Sequence, residues 1–222
     1  MDGPSGYKLR AAVFRPSGPG PFPVALVLHG DDGFGEFYLR FAREFRAAGL
    51  VGIAGCWFAD RPPRIIVPEA PLDCPDAPSY KDVSVRSASV AAMVDGVRSQ
   101  VAGNDVGPIG LFANSGAALY ALSLAASRND IGAVVAVSAP YEAISAVSRA
   151  PLLMLQGKGL RTELLTAGRA ASEYEQKLKE RGVPVIVHVY EQSRYAFLST
   201  DPFERTDASQ RSAAFFIQYL RT

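Results

Sequence analysis

The stretch from Gly110 to Leu119 reads G-L-F-A-N-S-G-A-A-L. An apolar run ends in Ala-Asn-Ser-Gly-Ala and passes into an alanine-rich helical pattern, which sets Ser115 at the apex of a strand, a turn and a helix. A serine so placed serves as a nucleophile when the residues two before and two after it are small, because the strained backbone leaves no room for side chains. Ala113 and Ala117 meet that demand in a looser form than the common G-x-S-x-G. The competing reading is a serine that caps the N-terminus of the helix. His29-Gly30 follows an earlier apolar strand, at the place where a second amide for an oxyanion is expected. Gly116 N–H would supply the first donor and Asp31 or Asp32 the second. A serine hydroxyl is a poor nucleophile near neutral pH and needs a positioned base. The chain has only two histidines. His29 belongs to the loop just named. His188 lies inside a strand pattern and reads as a hydrogen-bonded structural histidine.

The elements that must position these groups alternate along the chain. Leu9–Phe14 and Val24–His29 read as strands joined by the Pro/Gly turn S-G-P-G-P-F-P. Glu36–Ala48 reads as a helix with Phe37, Phe41 and Phe45 on one face, and Leu50–Cys56 as a strand. Val83–Gln100 reads as a helix, with Val90, Met93, Val94 and Val97 at i, i+3, i+4 and i+7. Ile109–Ala113 (strand), Gly116–Ala126 (helix), Ala133–Ser138 and Leu152–Gln156 (strands) follow. A helix buries Ala167, Ala170, Ala171, Tyr174 and Leu178. The strand Val183–Tyr190 precedes a last helix with Ala213, Phe216, Ile217 and Leu220 inward. Continuous apolar strands alternating with helices imply an α/β domain, a mostly parallel sheet covered on both faces. In such sheets ligands bind beyond the carboxyl ends of the strands. The segment Ala59–Tyr80 breaks the alternation with six prolines. A loop this long is either a functional cover or a proline-stiffened surface loop.

The 222 residues suffice for one domain with a substantial core, and 48% hydrophobic against 20% charged is an ordinary globular balance. A net charge of +1 favours neither nucleic acid nor an anionic membrane. The start M-D-G-P-S-G-Y-K-L-R has no apolar core of a secretory leader, and no apolar run approaches the length of a membrane span. Cys56 and Cys74 make no disulfide framework, and two histidines with two cysteines show no metal-ligand spacing. A cytoplasmic enzyme without metal or cofactor, a monomer or homodimer acting on a small molecule, is the default expectation.

Four segments carry a resemblance. L-V-L-H-G-D-D-G-F-G, I-G-L-F-A-N-S-G-A-A-L-Y-A-L, P-L-L-M-L-Q-G and V-H-V-Y-E-Q-S-R-Y-A-F together resemble the dienelactone hydrolase family of α/β hydrolases, nearly end to end. The resemblance implies a single-domain α/β-hydrolase fold over residues 1–222. It also implies a nucleophile at Ser115, where that family carries cysteine and many relatives serine. In the family, a Tyr-Glu pair closes a strand and a short turn then presents the catalytic histidine before a Phe. Tyr190, Glu191 and Phe197 sit in register, and the residue in the histidine position is Tyr195. After the strand matching Leu152–Gln156 the family has Gly and, three residues later, an aspartate; here Gly157 leads to Leu160. Asp32 stands near a glutamate that lies beside the nucleophile in the family. Tyr141 and Glu142 follow the strand end where some α/β hydrolases hold their acid.

Leu for the acid and Tyr for the base imply a remade site. A phenol with a pKa of about 10 is a weak base but a good hydrogen-bond donor. The first expectation is therefore a small-molecule enzyme with a dismantled triad. It would use Ser115, Gly116, Tyr195 and Asp32 on a carbonyl or lactone-like substrate, for cyclisation, isomerisation or elimination. His29, Asp31, Trp57, Arg61, Asn114, Tyr141, Glu142, Leu160 and Arg194 are the expected substrate-side residues. The arginines suit a carboxylate, and Trp57 with Phe58 suits an aromatic wall. The second expectation is a weak ester or lactone hydrolase, with His29 or a carboxylate acting through water as base. The third is a non-catalytic binding protein.

Overall fold

The computed structural model describes residues 9–31, 33–57, 74, 83–102, 107–158, 165–191, 193 and 201–220. The elements are β1 (Arg10–Phe14), β2 (Val24–Leu28), α1 (Glu36–Ala47), β3 (Val51–Cys56), α2 (Val83–Val97), β4 (Ile109–Asn114), α3 (Ala117–Ser127), β5 (Ile131–Val137), β6 (Leu152–Gly157), α4 (Leu165–Glu180), β7 (Val185–Tyr190) and α5 (Pro202–Tyr219). The strands form a seven-stranded sheet in the order β1-β3-β2-β4-β5-β6-β7. Among the described strands only β1 runs antiparallel to its neighbour; the pairs from β3 to β7 are parallel. The expected mostly parallel sheet is what the chain forms.

Two apolar cores lie on opposite faces. Val90, Met93, Val94 and Val97 of α2, the alanines of α3, and Ala171, Tyr174 and Leu178 of α4 cover one face. Phe41 and Phe45 of α1 and Phe215 and Phe216 of α5 cover the other. Strands sandwiched in this way have no wet side, so β2 to β6 need no alternation of polar residues. The edge strands β1 and β7 are the exceptions, with Val13 and Ile186 exposed.

Several boundaries differ from the sequence reading. On α1, Tyr38 is buried and Phe37 only partly so, because the buried stripe runs through Tyr38, Leu39, Phe41, Ala42 and Phe45. Strand β5 starts at Ile131, paired with Ile109, and takes in Gly132, where a Cβ would lie 2.6 Å from Pro108 and 2.7 Å from Leu220. Strand β7 starts after Pro184, which has no N–H for the ladder. Helix α2 stops at Val97 and continues as a π-helical turn over Arg98–Ala102. In the last helix Ile217 is half-buried while Phe215 is buried. The side chain of Ala167 lies outside the described residues.

Candidate active site

Strand β4 passes into α3 through Ser115 and Gly116. Ser115 has φ 51°, a left-handed backbone rare for a residue with a side chain. Its N–H donates to Val137 O at 2.8 Å, and its carbonyl accepts from Ala118 N–H at 3.0 Å, so the turn is pinned on both sides. Ala113 and Ala117 are fully buried. The N-cap of α3 is Gly116, with no side-chain cap bond. Ser115 is thus the residue of the sharp turn and not the helix cap.

Glycine at 116 has a steric cause. A Cβ there would fall 1.9 Å from Asp31 Oδ2. The Asp31 carboxylate therefore lies against the elbow, held by Arg86 Nη1 at 2.9 Å. Tyr120 stands beside this pair; burial raises its hydroxyl pKa, and the bond to Arg86 opposes that.

Tyr38 joins the elbow to the loop after β2. Its hydroxyl accepts from Gly30 N–H and from Asn114 Nδ2, both at 2.8 Å. Asn114, expected on the substrate side, gives its Nδ2 to this tie and is half-buried. Sequence reasoning missed Tyr38, since its position on α1 looks like one more aromatic.

His29 is fully buried. Its Nδ1 donates to Gly30 O at 2.8 Å, and its Nε2 faces Cys74 Sγ at 3.7 Å. Burial pulls its pKa down to about 4 against the bond to Gly30, which raises it. Its ring stacks on Trp57 at 5.3 Å, and Trp57 Nε1 donates to His29 O at 2.8 Å. Trp57 is itself 1% exposed and packs in the core. His188 projects from β7 towards α5, where Nε2 lies 3.7 Å from Asp207 Oδ2, with Tyr190 Oη donating to the same oxygen at 2.9 Å.

The cysteines correct the sequence reading. Cys56 and Cys74 are joined as a disulfide, with Cα atoms 5.6 Å apart. Spacing along the chain carried no hint of this, because the end of β3 and residue 74 meet only in the fold. The pairing also removes the cysteine argument for a cytoplasmic location, since disulfides persist mainly in oxidising compartments. No helix among the described residues is long and apolar enough to cross a membrane.

The next two strand ends carry polar groups that sequence reasoning passed over. Ser138, after β5, has φ 47° and is buried; its N–H donates to Leu155 O at 2.9 Å. Gln156 on β6 is 1% exposed, and among the described residues neither amide atom has a hydrogen-bond partner. Tyr141 lies in a short turn over Tyr141–Ala143, buried, with its hydroxyl also unpartnered among the described residues. Burial holds that hydroxyl protonated, well above the usual tyrosine range. Glu142 beside it is exposed. Lys158 and Glu191, which follow β6 and β7, form an ion pair at 2.6 Å. Asp32, Phe58, Arg61, Leu160, Arg194, Tyr195, Phe197 and nearly all of Ala59–Tyr80 lie outside the described residues.

No family model matches the chain, and no curated protein matches it in sequence. Solved structures do. A dienelactone hydrolase from Anabaena variabilis superposes with a TM-score of 0.75 at 20% identity, over 98% of this chain and 94% of that one. Est1E from Butyrivibrio proteoclasticus, solved with ferulic acid bound, gives 0.69 at 12% identity, over 97% and 96%. A Pyrococcus furiosus esterase gives 0.66 at 16% identity, over 97% and 92%. With its sheet order, the elbow at Ser115 and these likenesses, the chain has the α/β-hydrolase fold.

Proposed function

We propose that the chain is a small-molecule enzyme of the α/β-hydrolase fold that works without a standard triad. It polarises a carbonyl or lactone-like substrate at the Ser115 elbow and catalyses a cyclisation, isomerisation or elimination. The observation that carries this reading is the placement of the two imidazoles. One is sealed under the loop after β2 and turned to Gly30 and Cys74; the other points at Asp207 on α5. Both imidazoles are thus engaged by other partners, and acyl transfer calls on one as its general base. The roles left are those of donors: the Ser115 hydroxyl, Gly116 N–H at the start of α3 and, from its register in the sequence, Tyr195. Donors aimed at developing charge stabilise an enolate without any covalent step. The test is a fluorophosphonate probe. Labelling of Ser115 no faster than that of a surface serine is expected; rapid stoichiometric labelling would overturn the reading.

One observation favours a second reading, a weak ester or lactone hydrolase. The Asp31 carboxylate lies against Gly116, where it could take a proton from Ser115 through a water. Under that reading Asp31→Asn abolishes a measurable aryl-ester hydrolysis; under the first there is none to lose.

A further inference from the structure

Three side chains from separate parts of the chain meet below the loop after β2. His29 follows β2, Cys56 closes β3, and Cys74 comes 18 residues after it. Their donor atoms, His29 Nε2 and the two Sγ, all lie within 4.8 Å of one another. His29 and Cys56 are buried and Cys74 is half-buried. The imidazole is oriented from its far side, where Nδ1 contacts Gly30 O at 2.8 Å. A carbonyl only accepts, so a neutral ring carries its proton on Nδ1 and presents the Nε2 lone pair to Cys74 Sγ. A backbone carbonyl on one nitrogen, which fixes the tautomer and aims the other, is how proteins hold a histidine for a metal. Stacking on Trp57, and the Trp57 Nε1 bond to His29 O, hold the ring plane as well.

We propose that the reduced chain binds one soft divalent cation, zinc above all, through His29 Nε2, Cys56 Sγ and Cys74 Sγ, and that the disulfide is the oxidised, metal-free form of the same site. The distances suit it. Zinc arms of about 2.3 Å to sulfur and about 2.0 Å to nitrogen, at a tetrahedral angle, put S and N about 3.5 Å apart. The observed Cys74 Sγ to His29 Nε2 distance is 3.7 Å. The two sulfurs would stand about 3.8 Å apart around the same ion, which reduction permits, with the Cα atoms 5.6 Å apart. The charge also suits it: two thiolates, a neutral imidazole and a divalent cation sum to zero, which a buried location tolerates. Thiolate and imidazole select zinc over magnesium or calcium. A thiol reductant supplies the electrons. Two electrons pass to the S–S bond, giving two cysteine thiols and the reductant's own disulfide. The thiols then release two protons to solvent as the cation takes both thiolates. The inference stands apart from the reading of Ser115.

Cobalt(II) is the probe. The full chain is reduced without oxygen, freed of reductant and titrated. We expect two reactive thiols per chain before the titration and one cobalt bound at its end. We also expect thiolate-to-cobalt absorption in the near ultraviolet that one equivalent of zinc removes. The oxidised chain should show no such band. Cys74→Ser, at a half-buried position that tolerates the change, should weaken binding at least about 100-fold, more than loss of an outer-shell partner does. His29→Asn should do the same. Should that variant fail to fold, a shift of the His29 ring resonances when zinc binds the reduced wild type tests the imidazole. Failure of the reductant to release thiols, a reduced chain without the cobalt band, or unchanged affinity in Cys74→Ser would each overturn the proposal.

Discussion

Removing the hydroxyl of Tyr38 tests whether the elbow and the loop after β2 are held as one unit. Tyr38→Phe keeps the ring, its volume and its packing, and deletes one oxygen that accepts from Gly30 N–H and Asn114 Nδ2. Gly30 is buried, so its N–H is left without that acceptor in a place where an unsatisfied donor costs about 1–3 kcal/mol. Asn114 is half-buried and can turn to water, so its share is nearer the net worth of one bond, about 0.5–1.5 kcal/mol. The sum is about 1.5–4.5 kcal/mol, which for a chain of this length lowers Tm by roughly 3–18 °C. Urea unfolding should show a lower midpoint with an unchanged slope, since the surface exposed on unfolding stays the same. Combining Tyr38→Phe with Asn114→Ala should lose less than the two single changes added together, because both remove the same bond. A loss below about 0.5 kcal/mol, within the range of an ordinary surface change, would refute the tie.

Two further outcomes follow from local geometry. Gly116→Ala keeps a helical backbone of φ −56° and ψ −29°, so only the exposed Asp31 carboxylate must move; stability should stay within about 1 kcal/mol, the upper worth of a surface ion pair, since the Asp31 side of the pair with Arg86 faces solvent. Mutant-cycle unfolding with Arg86→Ala checks this, and a loss above about 2 kcal/mol would mean that backbone moves instead. The Arg128 guanidinium bonds both oxygens of Asp130, at 2.8 and 2.6 Å, and holds its carboxyl below the usual range. A carboxyl with its folded pKa depressed adds stability above the unfolded pKa of about 3.9 and loses it as pH falls through the folded value. Asp130→Asn should therefore flatten the acid limb of the stability–pH curve while lowering stability at pH 7 by about 1 kcal/mol, and an acid limb as steep as the wild type's would contradict this.

The fold was legible because its signals are local. Apolar runs of strand length, the i, i+3, i+4, i+7 pattern of α2 and the glycine and proline breaks each report on a few neighbouring residues. The elbow was legible for the same reason: small residues at 113 and 117 are a steric demand written beside Ser115. What the sequence did not disclose is contact across the sheet. Nothing near residue 38 says that a hydroxyl on α1 will bridge the ends of β2 and β4. Nothing near Cys56 says that residue 74 returns to it, or that His29 lies between. Ser138 and Gln156 have ordinary neighbours, and their burial at the carboxyl edge follows only from the register of β5 against β4 and β6. The residues in the acid and base positions, Leu160 and Tyr195, rest on resemblance alone, outside the described residues.

The two left-handed serines are linked through the ladder. Ser115 N–H is held by the carbonyl of Val137, the last residue of β5; the next residue, Ser138, turns left-handed in its own right and hands its N–H to Leu155 on β6. The elbow is thus the top step of a staircase whose lower steps are two other strands. A fluctuation that relaxed Ser115 would have to loosen the end of β5, and through it the end of β6. Strain in an isolated loop comes and goes with the loop; strain mounted on three paired strands persists as long as the sheet does. Whatever binds at this edge meets a serine already held in place and does not have to organise it.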